Sequence, residues 1–512
     1  MSDAEDSQND VFAFLADPAT HGGAKVRRID THAASIFLAG DRVLKVKRAV
    51  RFPFLDYSTP KKRKAACEAE IAVNAPYAPD LYRGVVAITR ETEGALAIGG
   101  RGEPVEWAVE MQRFDEKQTL DHIAADIDEA LADTLGRAVA AAHRKAPAAD
   151  AQAWIDALGS YVDEHVDAFR QHLDIFPAAE IETLADASRA AYRRLVPLLE
   201  ERGRRGFIRR IHGDLHLGNI VLIDGKPVLF DAIEFSDIIA SGDVFYDLAF
   251  LLMDLVERGL AAAANIVLNR YLAETRQVEN LDALAALPFF LSTRASIRAK
   301  VTAARMERAT AAERATIAEN ARGYFALATR AIAPPAPIFV AVGGLSGTGK
   351  SRLARELAPK LLPMPGSVVL RSDVARKTLF GIGETEKLTS AAYADAVTAR
   401  VYALLAEHAR RVVAAGHSVV VDAVFAKPQE RTMIAEASKS IGITFRGLFL
   451  TADIETRLAR VGYRHDDASD ADAVVVQAQE HYDLGDVAWT EIDASATPET
   501  TLARAFVALE PP

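Results

Sequence analysis

The sequence predicts two domains in tandem, an α+β bilobal domain followed by an α/β domain on a parallel sheet, and three observations predict it. The first is length: 512 residues exceed what one hydrophobic core supports, so the chain divides. The second is the order of hydrophobic periodicities, which passes from short strands to long helices up to residue 330 and then alternates strand with helix. The third is the glycine-rich run Gly344-Leu345-Ser346-Gly347-Thr348-Gly349-Lys350-Ser351, set between an apolar strand pattern at 338–342 and a helical one.

Each element follows from local pattern. Residues 1–10 are acidic and polar and read as a tail. Runs at 35–39 and 42–47 read as strands joined by a Gly40-Asp41 turn, and 61–73 as a helix. Further strands fall at 85–89 and 105–111. From Thr119 to Glu201 apolar residues recur at threes and fours, which is helical. Short strands at 207–211, 220–223 and 228–230 precede helices over 244–330. A small strand-rich lobe before a larger helical one is the order of a protein-kinase-like fold. Pro334, Pro335 and Pro337 forbid helix continuation and stiffen the connection at 331–337. The expected domains are therefore 11–330 and 338–512. In the second, strands at 338–342, 368–370, 418–421, 445–450 and 489–492 alternate with helices. The basic runs Lys61 to Lys64 and Arg202 to Arg210 read as solvated helix surface.

Bulk composition narrows the function. Hydrophobic and charged fractions of 50% and 26% are those of an ordinary globular chain. A net charge of -11 argues against coating nucleic acid or anionic membrane and favours a small-molecule partner. The single cysteine, Cys67, excludes an internal disulfide and fits a reducing compartment. With no signal-peptide pattern and no apolar run of membrane-spanning length, the expectation is a cytoplasmic protein; its oligomeric state is left open.

The glycine run has the letters and setting of a Walker A loop. The backbone around Gly344, Gly347, Thr348 and Gly349 would close on phosphates, Lys350 would carry charge to the terminal ones, and the Ser351 hydroxyl would meet Mg²⁺. ATP and Mg²⁺ are thus the expected cofactors. Asp373 and Arg376 begin where a strand ends, the usual place for ligand groups in open parallel sheets. Asp373 is the candidate to receive an acceptor hydroxyl's proton, and the Arg376 fork the candidate clamp for an anion. Asp422 closes the apolar run at 418–421 and reads as the Walker B carboxylate for Mg²⁺. Arg457, Arg460 and Arg464 enter a polar stretch, 465–472, with the pattern of a mobile lid, where arginines close over developing charge.

A second phosphate-handling signature lies upstream in His212-Gly213-Asp214-Leu215-His216-Leu217-Gly218-Asn219, followed by Asp231. Asp214 and Asn219 have the kinase catalytic-loop spacing, in which the Asp meets the substrate hydroxyl and the Asn holds a metal. Asp231 ends the strand at 228–230, where a second metal carboxylate belongs. Lys45 would reach the inner phosphates, with Glu70 as its partner and Glu68 as the competing choice. His212 and His216 read as structural.

The segment His212 to Asn219 with Leu229-Phe230-Asp231-Ala232-Ile233-Glu234-Phe235 resembles the aminoglycoside phosphotransferase family of small-molecule kinases, over roughly residues 10 to 330. The resemblance implies that Asp214 is the catalytic base and that Asn219 and Asp231 hold Mg²⁺. It also implies that 110–114 passes the adenine as a hinge and that Asp247 supports the catalytic loop. Two features depart from it: no glycine-rich loop precedes Lys45, and no acidic pattern marks an aminoglycoside site. Residues 338–508 resemble the nucleoside-kinase-like P-loop phosphotransferases, which implies nucleotide and Mg²⁺ contacts at Lys350 and Ser351, acceptor-site roles for Asp373 and Arg376, and lid roles for Arg460 and Arg464. The order of the two halves resembles a bacterial family of fused phosphotransferase and predicted-kinase proteins.

The function expected is an ATP-dependent phosphotransferase with two Mg·ATP sites acting on hydroxyls of small polar metabolites. Two other readings stay open at this point: one domain as a nucleotide-dependent regulatory module, or the C-terminal domain as a polynucleotide 5′-hydroxyl kinase.

Overall fold

The computed structural model describes residues 3–52, 55–462 and 468–510. The chain forms two compact units, residues 1–160 with 199–254 and residues 161–198 with 255–512. Among the described residues no helix is long and apolar enough to cross a membrane.

The first unit holds a six-stranded antiparallel sheet in the order Val26–Asp30, Ala34–Ala39, Arg42–Lys47, Glu103–Gln112, Tyr82–Arg90, Leu96–Ile98. The Gly40-Asp41 turn sets Lys45 opposite Ile36 on one side, and Val109 faces it on the other. The first strand was not legible in the sequence: Val26–Asp30 reads Val-Arg-Arg-Ile-Asp and lies on the sheet border, half exposed, so little of it is apolar. The expected tail is corrected as well. A helix spans Asp3–Ala16, and Val11, Phe12 and Leu15 are buried against the sheet. Gln8 fixes it by donating to the Lys47 carbonyl at 3.0 Å and to Glu106 at 2.9 Å.

The helix Pro60–Asn74 starts on a Thr59 cap with proline at its first position. Its buried face is polar: Arg63, Cys67, Glu70 and Asn74 recur at threes and fours. Such a stripe is stable only if each group is partnered. Arg63, expected in solvent, pairs with Glu106 at 2.7 Å. Arg202, from the other basic run, pairs with Asp243 at 2.6 Å, both within 2% of full burial. Burial pushes the Cys67 thiol up to about 12, so it stays protonated and inert.

The second unit contains a five-stranded sheet, parallel throughout, in the order Val368–Arg371, Val419–Asp422, Phe339–Gly344, Phe445–Thr451, Thr490–Asp493. The two central strands read as continuous apolar runs because both faces are covered. Val340, Val342, Leu353, Leu357, Val420 and Leu448 form the core. Parallel strands gather their carboxyl ends on one side, bringing Gly344, Arg371 and Asp422 to the same rim. The helix Ala261–Thr275, upstream of the prolines, covers the outer edge of Val368–Arg371. Asn265 and Asn269 donate to the Ser367 carbonyl at 3.0 and 3.1 Å, and Asn269 accepts from the Val369 N–H at 2.7 Å.

Candidate active sites

In the first unit the loop 212–219 is shaped by carboxylates beneath it. The two oxygens of fully buried Asp247 accept the N–H groups of His212 and Gly213, each at 3.0 Å, and Asp254 accepts that of Leu217 at 2.9 Å. Gly213 turns the chain at φ 83°, a conformation open to glycine. His212 donates through Nε2 to the Phe230 carbonyl at 2.9 Å, and burial lowers its pKa, so the imidazole is neutral and structural.

Asn219 and Asp214 are brought together, with Nδ2 of Asn219 donating to the Asp214 carbonyl at 2.9 Å and to its carboxylate at 3.0 Å. His216 lies 3.4 Å from the same carboxylate. The Phe230 N–H donates to the Asn219 carbonyl at 3.0 Å, which sets Asp231 one residue beyond. Asp231 keeps 47% of its side chain exposed and meets Lys45 Nζ at 2.7 Å. Lys45 also meets Glu70 at 2.8 Å, whereas Glu68 faces outward and pairs with Lys64 at 3.5 Å. Burial alone would lower the Lys45 pKa; the Asp231 and Glu70 carboxylates outweigh it and hold the ammonium well above 10.5. Burial would likewise raise Glu70, but Lys45 and Lys47 bring it down to about 2. At the expected hinge, the Arg113 N–H donates to the Asp41 carbonyl at 2.8 Å, and Phe114 stacks edge-on against Phe230.

The donor set here is a carboxylate and a carboxamide, hard oxygens that suit Mg²⁺. Among the described residues no group of three or more His, Cys, Asp or Glu side chains would hold a metal. An ion at Asn219 and Asp231 would therefore take its remaining ligands from phosphate and water.

In the second unit the glycine-rich loop joins strand Phe339–Gly344 to helix Lys350–Leu357. Gly347 and Gly349 have φ of 86° and 92°, and a Cβ on Gly347 would fall 2.5 Å from the Arg457 carbonyl, so only glycine fits. The loop is braced from outside. Arg457 Nε donates to the Ser346 carbonyl at 2.9 Å, and the Ser346 N–H donates to Gln479 Oε1 at 2.7 Å. Arg460 donates to the Thr348 carbonyl at 3.3 Å and to Ala494 at 2.7 Å. Both arginines thus lie against the loop backbone. Thr348 Oγ1 donates back to Leu345 at 2.8 Å, and Ser351 opens the helix one residue after Lys350. Arg464 lies outside the described residues.

Asp422 and Arg371 are register partners on adjacent strands, 3.4 Å apart at their charges. Asp373 sits just beyond. Burial raises its pKa, the Lys350 ammonium opposes this, and the Asp422 carboxylate adds to it; a hydrogen bond from Ser469 favours the charged form. Arg376 follows one helical turn on, in the helix Ser372–Leu379, and is buried. Its Nη1 donates to Ala392 at 2.7 Å and Thr398 at 3.3 Å, and its plane lies 4.8 Å from the Tyr393 ring centre. Asp470, within the polar stretch 465–472, closes the region with partners that no sequence pattern marked: it accepts from Leu388 N–H at 3.1 Å and Tyr393 Oη at 2.8 Å, and pairs with Lys377 at 3.1 Å.

A bilobal fold with a paired lysine above an Asp-Asn loop, joined to a Walker loop on a parallel sheet, defines a kinase-type phosphotransferase that includes a P-loop nucleotide-binding domain. Residues 55–287 match the phosphotransferase enzyme family and residues 339–482 match an AAA domain. The chain accordingly joins a phosphotransferase-like domain to a P-loop domain. Similar curated proteins are an uncharacterized protein of Mycobacterium tuberculosis and another of Mycobacterium bovis, each 29% identical over 496 residues, 93% of this chain and 94% of theirs. Among solved structures, a choline/ethanolamine kinase family protein from Mesorhizobium loti is 13% identical, covering 64% of this chain and 99% of that one, with a TM-score of 0.35. A gluconokinase from Sinorhizobium meliloti is 21% identical, covering 34% of this chain and 91% of that one, with a TM-score of 0.26.

Proposed function

We propose that each of the two sites binds Mg·ATP and transfers its terminal phosphoryl group to a hydroxyl of a small polar metabolite. The observation that carries the reading is the position of Lys45, whose ammonium touches both Glu70 at 2.8 Å and Asp231 at 2.7 Å. It joins the residue suited to inner phosphates with the carboxylate suited to their metal. In the second unit the corresponding support is the loop 344–351 facing Asp373 and Asp422 across one sheet rim.

At the first site Asp214 would orient the acceptor hydroxyl and take its proton, while Asn219 and Asp231 hold Mg²⁺, which neutralises phosphate charge when bound. At the second, Asp373 would take the acceptor proton, Lys350 would hold the terminal phosphates, and Ser351 and Asp422 would hold the metal. The transition state of phosphoryl transfer is loose, so positioning and charge complementarity supply most of the rate. Burial that raises the Asp373 pKa makes it a stronger base than a solvated aspartate.

The test is a screen of a metabolite pool for phosphorylated products with the unsubstituted protein, Asp214→Ala and Lys350→Ala. Each variant is expected to lose one set of products and keep the other. Product formation that survives both changes in one chain would overturn the two-site reading.

A further inference from the structure

Asp231 adopts φ 60°, a left-handed conformation that costs energy for a residue with a side chain and persists only where the surroundings over-determine it. Those surroundings converge from two elements. On helix Pro60–Asn74, Asn74 is fully buried and grips the next residue from both sides: its Oδ1 accepts the Ala232 N–H at 2.7 Å, and its Nδ2 donates to the Ala232 carbonyl at 3.2 Å. The same Nδ2 donates to the Glu70 carbonyl at 3.1 Å, one turn back. On strand Arg42–Lys47, Lys47 lies two residues after Lys45 and so shares its face. Lys47 pairs with the second oxygen of Glu70 at 2.6 Å and with Glu234, which also accepts from Tyr57 Oη at 3.2 Å. Tyr82 Oη accepts the N–H of Asp231 itself at 3.1 Å.

Glu70 thereby stands between two lysines, one gripping Asp231 and the other gripping Glu234, while Asn74 holds Ala232 between them. We infer that Asn74 and Lys47 are positioning residues that set the place of the Asp231 carboxylate toward Mg·ATP, an inference that rests on the kinase reading of this site. Neither touches the reacting groups. Their effect passes through the backbone at 232 and the side chain of Glu234, so they govern how well the metal-bound nucleotide fits, much as outer partners tune a metal ligand.

The test follows fluorescent methylanthraniloyl-ADP binding to the full chain carrying Lys350→Ala, which silences the second site, while Mg²⁺ is titrated. Melting temperature is measured in parallel. Asn74→Ala and Lys47→Met are expected to raise the Mg²⁺ concentration at half-maximal binding by about tenfold, and Lys47→Arg to restore it. If Asn74→Ala does not fold, the Lys47→Met and Lys47→Arg pair decides alone. Variants that melt earlier but keep the Mg²⁺ midpoint of the parent would reduce both residues to fold stabilisers and overturn the inference. Absence of any Mg²⁺-dependent nucleotide binding in the Lys350→Ala parent would instead overturn the kinase reading of the site, and the inference with it.

Discussion

The Nε of Arg457 donates to the carbonyl of Ser346 at 2.9 Å, at a position where the arginine is 3% exposed. The same guanidinium pairs with Glu480 and so joins the phosphate loop to the helix Ala473–Gln479. A residue read from the sequence as part of a lid is in this structure a brace under the loop. Arg457→Ala leaves the Ser346 carbonyl without its buried donor, a loss on the order of 1–3 kcal/mol. The expected result is a rise of about tenfold in the ATP KM of the Lys350-dependent activity, with Arg457→Lys recovering little. Steady-state kinetics in an Asp214→Ala background isolates the effect.

In the proposed transfer Asp373 acts as base only when ionised, and burial holds its pKa above the ordinary 3.8. The acid limb of the kcat/KM profile for the second activity is therefore expected above that value. Ser469 donates to the carboxylate and favours its charged form. Ser469→Ala removes that preference, so the limb moves to still higher pH. A limb that stays in place would separate Asp373 from the proton transfer.

Glu70 titrates at about 2 in the folded protein against 4.5 for a free glutamate. A depressed folded pKa means that the unfolded chain takes up the proton first, so acid favours unfolding. The stability this carboxylate contributes is complete above about 4.5 and is lost as pH falls toward about 2. Glu70→Gln lacks this titration and leaves Lys45 with Asp231, and Lys47 with Glu234, as the remaining carboxylate partners. The stability gap between the two proteins is expected to be wide at neutral pH and to narrow across that acid window, as measured by denaturant unfolding.

Asp247 satisfies two loop N–H groups and lies 3.2 Å from His143 Nε2. Asp247→Ala would orphan both donors and lower stability by roughly 2–5 kcal/mol. It should also abolish products lost in Asp214→Ala, because the loop that aims Asp214 starts at those two peptides. Asp247→Asn can accept only one of the two bonds and is expected to fall between.

What the sequence made legible was whatever carries its signal locally. The apolar runs at 338–342 and 418–421 are strands because both faces are buried, and Asp214, Asn219 and Asp231 share a loop and a strand end only residues apart. Groups that act over long chain separations were not legible. Asn74 stands one position past the helix expected over 61–73, and its partner Ala232 is 158 residues away. Lys47 merely ends the strand expected over 42–47, and its partner Glu234 comes 187 residues on. Arg63 and Arg202 read as surface charge because Glu106 and Asp243 reach them only in the folded chain. One nitrogen of Arg376, Nη1, donates to Ala392 and Thr398, contacts that no spacing rule announces.

Asn265 and Asn269 fall within the stretch matching the phosphotransferase family, whereas the strand whose free side they occupy falls within the AAA match. A gene cut at the prolines would hand its downstream product a sheet with a bare rim, ready to recruit strands from other copies of itself. The helix that prevents this is encoded upstream. The upstream half thus supplies the cover of the downstream sheet, over and above the proline connection between them.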